Sequence, residues 1–268
     1  MKRLLVVENL EKRYEDLGET GTQEVLALQG VSFSIERHLI LAVVGESGSG
    51  KSTLALCVAC LERPTSGSIQ FNGNEITAFD RKQLRAMRPK IQMVFQDPAR
   101  SLNPRFCALE IVGEPLLVQG RLGKREREDR ARMLLAQVGI SQEKALQTTA
   151  EFSGGQRQRL AIARALALEP ELLILDEALS ALDCSVQAKI ANLLLELQSS
   201  LGLTYLFITH DLTMAAHLAD KIAVMEQGRI VEQGVAGKVL RTPDHEVTRR
   251  LIAATPRMAA AAYVPQAV

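Results

Sequence analysis

The residues best suited to chemistry form a glycine-rich loop, Gly45–Thr53, with the sequence Gly-Glu-Ser-Gly-Ser-Gly-Lys-Ser-Thr. A loop with this spacing turns successive backbone N–H groups inward, where they can hold phosphate oxygens. The loop lies between an apolar run that suits a strand, residues 41–44, and a second run that suits a helix, residues 54–61. We therefore predict a nucleoside triphosphate site in which Lys51 reaches the terminal phosphates and Ser52 is a ligand of Mg²⁺. The predicted nucleotide-binding residues of this loop are Gly45, Glu46, Ser47, Gly48, Ser49, Gly50, Lys51, Ser52 and Thr53.

Two carboxylates, Asp176 and Glu177, follow the apolar run at residues 172–175. Open α/β sheets bind ligands at the carboxyl ends of their strands. Asp176 suits the shell of Mg²⁺ through a water molecule, and Glu177 suits the general base that polarises the water attacking the γ-phosphate. An apolar strand that ends in Asp-Glu is common by itself, so this prediction depends on the phosphate loop.

A third candidate segment, Ser153-Gly154-Gly155-Gln156, precedes a long helical pattern. Serine is a preferred N-cap residue, and the N-terminus of a helix attracts anions. One chain would then carry two phosphate-binding segments that are distant in sequence. We predict that the second segment closes on a triphosphate held by another copy or by a paralogue.

Short apolar, β-branched runs alternate with helical patterns, which indicates an α/β fold with a largely parallel sheet. The predicted strands are residues 4–7, 31–35, 40–44, 68–71, 91–95, 172–175, 205–208, 221–225 and 229–231. From about residue 97 to residue 165 the chain carries helical patterns without a convincing strand. This stretch includes a charged run of mixed sign, residues 124–130, that predicts a solvated helix face. A helical insert is therefore expected within the α/β core.

Composition excludes several function classes. The 268 residues include 32 basic and 31 acidic side chains, for a net charge of +1, so the chain has no bulk attraction to nucleic acid or anionic lipid. No apolar run approaches the length of a membrane span, and we expect a cytoplasmic protein that reaches a membrane only through partners. Four cysteines are too few for a disulfide framework. Cys57 and Cys60 fall in the helix predicted after the phosphate loop, where core positions are favoured over a redox or zinc pair.

The order of these motifs resembles the ATPase subunit of an ATP-binding cassette (ABC) transporter over nearly the whole chain. The resemblance implies the phosphate-loop NTPase fold of that family, a RecA-like core with an N-terminal antiparallel β subdomain and an inserted α-helical subdomain. Residues 153–156 match the family's signature motif. Gln96 matches the glutamine that touches magnesium and senses the transmembrane partner, and Asp183 matches the loop that crosses the dimer interface. His210 matches the histidine that contacts the γ-phosphate, which makes it catalytic together with Glu177 and Lys51.

Tyr14 is the candidate for stacking on adenine, by resemblance to the aromatic residue that precedes the phosphate loop in this family. Stacking of a base on an aromatic ring contributes ~1–3 kcal/mol. The segment between Tyr14 and residue 24 blurs the spacing, so a surface tyrosine on a loop is the alternative interpretation.

Further segments resemble the oligopeptide, dipeptide and nickel importer branch, and most of all the F-type member of its two-ATPase pair. They are residues 63–67, 91–98, 101–105 and 242–256. The resemblance implies a nucleotide-binding domain at 1–241, with its helical subdomain at about 97–165, and a C-terminal extension at 242–268. Glu246-Val247 stands where this branch usually has Pro-Tyr, which weakens the prediction of the conformation of the extension.

The resemblance implies an enzyme that binds ATP and Mg²⁺ and hydrolyses ATP to power uptake of peptides. Import of nickel or a metal chelate is the alternative within the branch. A different class, a soluble ABC ATPase that acts on nucleic acid or ribosomes, does not fit the single compact cassette. The implied partners are transmembrane permease subunits, a second ATPase that is identical or homologous, and indirectly an extracytoplasmic solute-binding protein, with no nucleic acid.

Overall fold

The computed structural model describes residues 2–18, 21–120 and 122–255. These residues divide into two compact units. Residues 87–203 form one, here called the helical unit, and the described residues on both sides form the other, here called the nucleotide-loop unit.

The strands of the nucleotide-loop unit are β1 (Arg3–Gly18), β2 (Gly21–Glu36), β3 (Ile40–Val44), β4 (Ser66–Phe71), β5 (Asn74–Glu75), β8 (Thr204–Thr209), β9 (Lys221–Glu226) and β10 (Arg229–Val235). Its helices are α1 (Lys51–Val58), α2 (Arg81–Met87, whose last residue falls in the helical unit), α8 (Leu212–Leu218), α9 (Ala236–Arg241) and α10 (Glu246–Ala253). The helical unit contains β6 (Ile91–Val94), β7 (Leu172–Asp176), α3 (Pro98–Ser101), α4 (Ala108–Gln119), α5 (Lys124–Gln137), α6 (Gly154–Leu166) and α7 (Cys184–Leu201).

An antiparallel sheet in the order β2-β1-β4-β5 forms the first layer of the nucleotide-loop unit. Apolar side chains such as Leu10, Leu28 and Val31 are fully buried on it. The β1–β2 hairpin runs from Arg3 to Glu36, well beyond the two short strands that the sequence predicts. Tyr14 lies on β1 opposite Val25 of β2, so the alternative interpretation that places Tyr14 on a loop is wrong. Register shifts between Val7 and Arg13 interrupt the period-2 pattern that marks a strand.

A second group of strands leads into the phosphate loop, which follows β3. In this group β9, β3 and β8 are parallel, and β10 is antiparallel to β9. Every residue of β3 and of β8 is buried. Strands that are covered on both faces are apolar throughout, which explains why their sequences predict them well. At the edge of this group Lys221 donates to Glu36 over 2.7 Å, and this hydrogen bond lowers the pKa of the Glu36 carboxyl.

In the helical unit, β6 and β7 pair in parallel, and the described residues between Pro98 and Leu166 form helices. Apart from a single bridge between Cys107 and Thr148, no strand pairing occurs in that described stretch, so the predicted helical segment is confirmed. The charged run lies on α5, where Lys124 and Glu128 face each other one turn apart. Leu134 and Leu135 are buried on the same helix.

The helix after the phosphate loop differs from the prediction at its end. It stops at Val58, and Cys60 adopts a left-handed conformation with φ of 54° in the turn that follows. Cys60 is therefore not a helical residue. Cys57 is buried, and this burial raises the pKa of its thiol to about 12, as expected for an unreactive core cysteine.

Candidate nucleotide site

The phosphate loop joins the end of β3 to the start of α1. Gly48 and Gly50 have φ of +81° and +101°, a conformation that residues with a Cβ adopt only under strain. Gly50 is the N-cap of α1, and Lys51 is its first residue. Glycine at these two positions allows the backbone to turn from strand to helix within a few residues.

Lys51 is buried, and its ammonium group lies inside the loop. It donates to the carbonyl oxygens of Gly45 at 2.9 Å and Glu46 at 2.8 Å, and to the Ser49 hydroxyl at 3.3 Å. A buried ammonium group at the N-terminus of an eight-residue helix gives this loop a concentrated positive potential. The residues therefore fit the phosphates of a nucleotide, while the contribution of each one to binding stays a prediction.

The loop rests on two neighbouring segments of the same unit. A Cβ atom on Gly45 would lie 2.1 Å from the carbonyl oxygen of Met225 at the end of β9, and one on Gly50 would lie 2.4 Å from that of Ala27 in β2. The Gly228 N–H donates to the Ser49 carbonyl over 2.9 Å. Gly228 is far from the loop in sequence, and a single sequence does not show which loop a distant turn supports.

Two other predicted residues lie in the same unit. His210 follows β8, whose last residue, Thr209, is in register with Val44 at the end of β3. His210 and Gly45 therefore leave neighbouring parallel strands at the same level, and His210 is exposed. Tyr14 is half-buried on β1, with the Lys12 ammonium 4.7 Å from the centre of its ring. The catalytic assignment of His210 and the adenine contact of Tyr14 stay predictions.

In the helical unit, the candidate carboxylates lie at the carboxyl end of β7. Asp176 is buried, and Glu177 is half-buried with φ of 46°. Gln96, just beyond β6, donates from Nε2 to Glu177 Oε2 over 3.1 Å and to the Ser180 hydroxyl over 3.4 Å. The structure thus joins three of the predicted segments through hydrogen bonds of one amide group. Ser180 lies three residues before Asp183, and its contact with Gln96 was not predicted from the sequence.

The signature segment begins α6 as expected for a helix start. Ser153 is the N-cap: its hydroxyl accepts from the Gln156 N–H, while the Gln156 side chain accepts from the Ser153 N–H over 3.1 Å. This reciprocal pair is a capping box, which satisfies donors that the first turn leaves unpaired. Gly155 lies against α7, where an added Cβ would meet Val186 Cγ1 at 2.5 Å.

Asp183 is the N-cap of α7 and accepts from the Val186 N–H over 3.0 Å and the Ser185 hydroxyl over 2.9 Å. The backbone hydrogen bond from Val186 and then the bond from Ser185 lower the pKa of this exposed carboxyl. The structure accounts for Asp183 as a helix cap. Its predicted contact with a second subunit stays a prediction.

The C-terminal segment contains contacts that the sequence analysis missed. Arg250 on α10 contacts Glu226, at the end of β9, and Glu46 of the phosphate loop. Arg250 is one of two adjacent arginines on this helix, and nothing in the sequence distinguishes it from Arg249.

None of the helices in 2–18, 21–120 and 122–255 is long and apolar enough to cross a membrane. Within the same ranges, no group of His, Cys, Asp and Glu side chains could by itself hold a metal ion.

Comparison with known proteins identifies the family. The family model described as ABC transporter matches residues 28–180. The chain is 47% identical over 234 residues to the dipeptide transport ATP-binding protein DppF of Escherichia coli (strain K12), covering 87% of this chain and 70% of that protein. It is 44% identical over 258 residues to the di/tripeptide transport ATP-binding protein DppF of Pseudomonas aeruginosa (strain UCBPP-PA14), covering 96% and 80%.

A solved structure agrees with these relatives. The dimeric structure of a post-hydrolysis state of the ATP-binding cassette MJ0796, bound to ADP and Pi, matches with a TM-score of 0.77 and 32% identity, covering 87% of this chain and 98% of that one. The predicted fold, a RecA-like core with an antiparallel β subdomain and an inserted helical subdomain, is confirmed, as is the ATPase class of the chain. On this evidence, the chain belongs to the ABC transporter family.

Proposed function

We propose that this chain is the ATP-hydrolysing subunit of an importer for dipeptides or oligopeptides, and that it powers uptake through a separate permease. The observation that carries this proposal is the identity of 44–47% to proteins named for dipeptide and di/tripeptide transport, over 87–96% of the chain. These names favour peptides over nickel or a metal chelate. The near-neutral charge of the chain supports a protein without a nucleic-acid partner.

The phosphate loop, Gly45–Thr53, is the proposed holder of the ATP phosphates, with Lys51 as its cation and Tyr14 as the platform for adenine. Support comes from the buried ammonium of Lys51 and the positive φ angles of Gly48 and Gly50. Ser52, Gln96 and Asp176 carry hard oxygen donors of the kind that Mg²⁺ prefers, and we propose them as its ligands, Asp176 through water. Bound Mg²⁺ would neutralise charge on the transferred phosphoryl group.

Glu177 is the proposed general base of hydrolysis. It accepts a proton from water as the water oxygen bonds to the γ-phosphorus, and the bond to the bridging oxygen breaks to leave ADP. The Gln96 hydrogen bond to Glu177 supports this assignment because it orients the carboxylate. His210 contacts the γ-phosphate, and positioning with charge neutralisation supplies most of the rate enhancement.

The working unit that we propose is a pair of ATPase subunits, either two copies of this chain or this chain with a paralogue. Residues 153–156 of each subunit cover the ATP of the other, and Asp183 lies in the loop at the interface. The dimeric state of the MJ0796 cassette supports this arrangement by analogy. The pair is expected on the cytoplasmic face of the membrane, attached through the permease, with a solute-binding protein on the opposite side.

Uptake measurements in the native host test the proposal. A strain lacking this gene is complemented with the wild type, Lys51→Ala or Glu177→Gln, and uptake of a labelled dipeptide and of radioactive nickel is followed in parallel. We expect dipeptide uptake to be lost in the deletion strain and restored only by the wild type. Loss of nickel uptake with normal dipeptide uptake would establish the alternative substrate. Normal uptake of both would overturn the transport proposal.

A further inference from the structure

The C-terminal extension contacts the phosphate loop through one guanidinium group. Arg250 Nη2, on α10, lies 3.3 Å from Oε1 of Glu46 and 2.9 Å from Oε1 of Glu226. Glu46 is the second residue of the phosphate loop, and its carbonyl oxygen accepts a hydrogen bond from Lys51 Nζ at 2.8 Å. Glu46 therefore links two residues. Its side chain contacts Arg250, and its backbone carbonyl contacts Lys51, which is proposed to hold the terminal phosphates.

The start of α10 is fixed by Glu232 on β10. Its carboxylate accepts from the backbone N–H groups of Asp244 and His245, each over 2.9 Å, and from the Thr248 hydroxyl over 2.5 Å. Burial raises the pKa of this carboxyl, but the hydrogen bonds outweigh burial and lower it. The anchor holds the first turn of α10, and Arg250 follows Thr248 by two positions on that helix.

α10 also forms part of the wall beside the loop. Val247 of α10 lines a cavity of about 120 Å³ together with residues 46–49 of the loop and residues 225–227 at the end of β9. Both Val247, at the wall of this cavity, and the ion pair of Arg250 with Glu46 therefore place α10 beside the phosphate loop.

We propose that Arg250 is a positioning residue of the ATP site, which holds the Glu46 carboxylate against α10 and away from the nucleotide phosphates. A carboxylate released from this contact can approach the phosphates, whose charge has the same sign, and the repulsion weakens nucleotide binding. The constraint on Glu46 also keeps its carbonyl oxygen in place for Lys51. This inference rests on the proposed function of the phosphate loop as the ATP site.

Calorimetric titration of the full chain with ADP tests the inference. We expect Arg250→Ala to raise the Kd for ADP about two- to fivefold, the range of a partly exposed ion pair. Arg250→Lys should retain most of the affinity because it keeps the charge. Arg249→Ala is the matched control on the same helix, since Arg249 donates to the Pro243 and Asp244 carbonyls just before α10. That control should bind ADP as the wild type does.

A second variant separates positioning from general destabilisation. In a Glu46→Gln background, Arg250→Ala should have a smaller effect than in the wild type, because the contact through which Arg250 acts is already weakened. The effect in the wild type should also shrink at about 0.5 M salt, where exposed charges are screened. If Arg250 only stabilised the fold, Arg250→Ala would raise the Kd for ADP by the same factor in both backgrounds and at both salt concentrations.

Lys51→Ala distinguishes failure of this inference from failure of the proposed site. If Lys51→Ala binds ADP as tightly as the wild type, the phosphate loop is not the nucleotide site, and both proposals fall. If Lys51→Ala loses binding while Arg250→Ala retains wild-type affinity, or loses it equally in the Glu46→Gln background, only the Arg250 proposal is overturned.

Discussion

Gln96 Nε2 donates a hydrogen bond to Oε2 of Glu177 across 3.1 Å, between the carboxyl ends of two paired parallel strands. Val94 and Leu175 are in register on these strands, so each side chain lies two residues beyond the paired positions. Glu177 has a φ of 46°, a conformation that costs a non-glycine residue free energy. The hydrogen bond therefore fixes a carboxylate on a strained backbone, as expected where a side chain must keep one direction.

This relationship predicts a graded loss of ATPase activity. Glu177→Gln removes the proposed base and should lower kcat by ~10²–10⁴-fold while ATP still binds. Gln96→Ala removes the orienting bond together with a proposed Mg²⁺ ligand, and should lower kcat by at least about fivefold, the equivalent of one hydrogen bond. Steady-state ATPase assays check both changes. Gln92→Ala on the same strand is the control, since Gln92 donates to the Arg88 and Ile91 carbonyls in its hydrogen bonds. Normal turnover in Glu177→Gln would remove Glu177 as the base.

Alanine substitutions at Gly45 and Gly73 distinguish the effect of a steric clash from the effect of a positive φ angle. Gly45→Ala places a Cβ 2.1 Å from the Met225 carbonyl oxygen, so the phosphate loop must move. We expect the free energy of unfolding to fall by about 2 kcal/mol or more and nucleotide binding to be lost. Gly73→Ala meets no atom within 4 Å but has φ of +79°, so it should cost about 1 kcal/mol with binding unchanged. Denaturant unfolding and ADP titration measure the two effects, and equal behaviour of the variants would contradict the steric argument.

The contact between α6 and α7 predicts that one substitution will lower the stability of the chain, although helix propensity alone predicts an increase. Gly155→Ala should stabilise an isolated helix by about 1 kcal/mol. In this chain the added Cβ meets Val186 Cγ1 at 2.5 Å, and a β-branched side chain has little freedom to turn away. We expect a lower thermal midpoint for Gly155→Ala and recovery in the double variant with Val186→Ala. Unchanged or increased stability of the single variant would show that the helices separate without cost.

The anchor of the C-terminal helix predicts a pH dependence. The pKa of Glu232 is below its ordinary value of 4.5 in the folded chain. A carboxyl group whose pKa is lower in the folded state than in the unfolded state stabilises the protein at pH values above its unfolded-state pKa. This stabilisation is lost as the pH falls through the folded-state pKa. Glu232→Gln should therefore unfold about 1 kcal/mol more easily than the wild type at pH 7, with a smaller difference at acidic pH.

Urea unfolding at neutral pH and at about pH 4 measures the Glu232 effect. Glu246→Gln, an exposed neighbour at the start of α10, is the control for loss of a negative charge near a helix N-terminus. A difference between wild type and Glu232→Gln that is the same at both pH values would mean that ionisation of Glu232 contributes nothing.

The elements that were predictable from sequence depend on local chemistry. β3 is apolar throughout, and β7 and β8 are apolar apart from their ends at Asp176, Thr204 and Thr209 and the hydroxyl of Tyr205, because both faces are covered. Ser153 caps α6 through residues three positions apart. The length of the β1–β2 hairpin was missed because it is set by cross-strand pairing, such as that of Tyr14 with Val25, in a hairpin whose register shifts interrupt the alternation of side chains. The turn at Cys60 and the contact of Arg250 with Glu46 depend on tertiary packing, which leaves no periodic pattern.

The support of the phosphate loop by Gly228 has a consequence for biosynthesis. Ser49 leaves the ribosome long before Gly228, whose N–H donates to its carbonyl oxygen, and before Met225, which lies against Gly45. A nascent chain that ends before β9 thus lacks the support on which the loop rests. Because a ligand stabilises only the state that binds it, we expect nucleotide to stabilise a chain that includes β9 and Gly228 more than one that ends before them. The contacts that shape the site therefore tie nucleotide affinity to a part of the chain that is synthesised late.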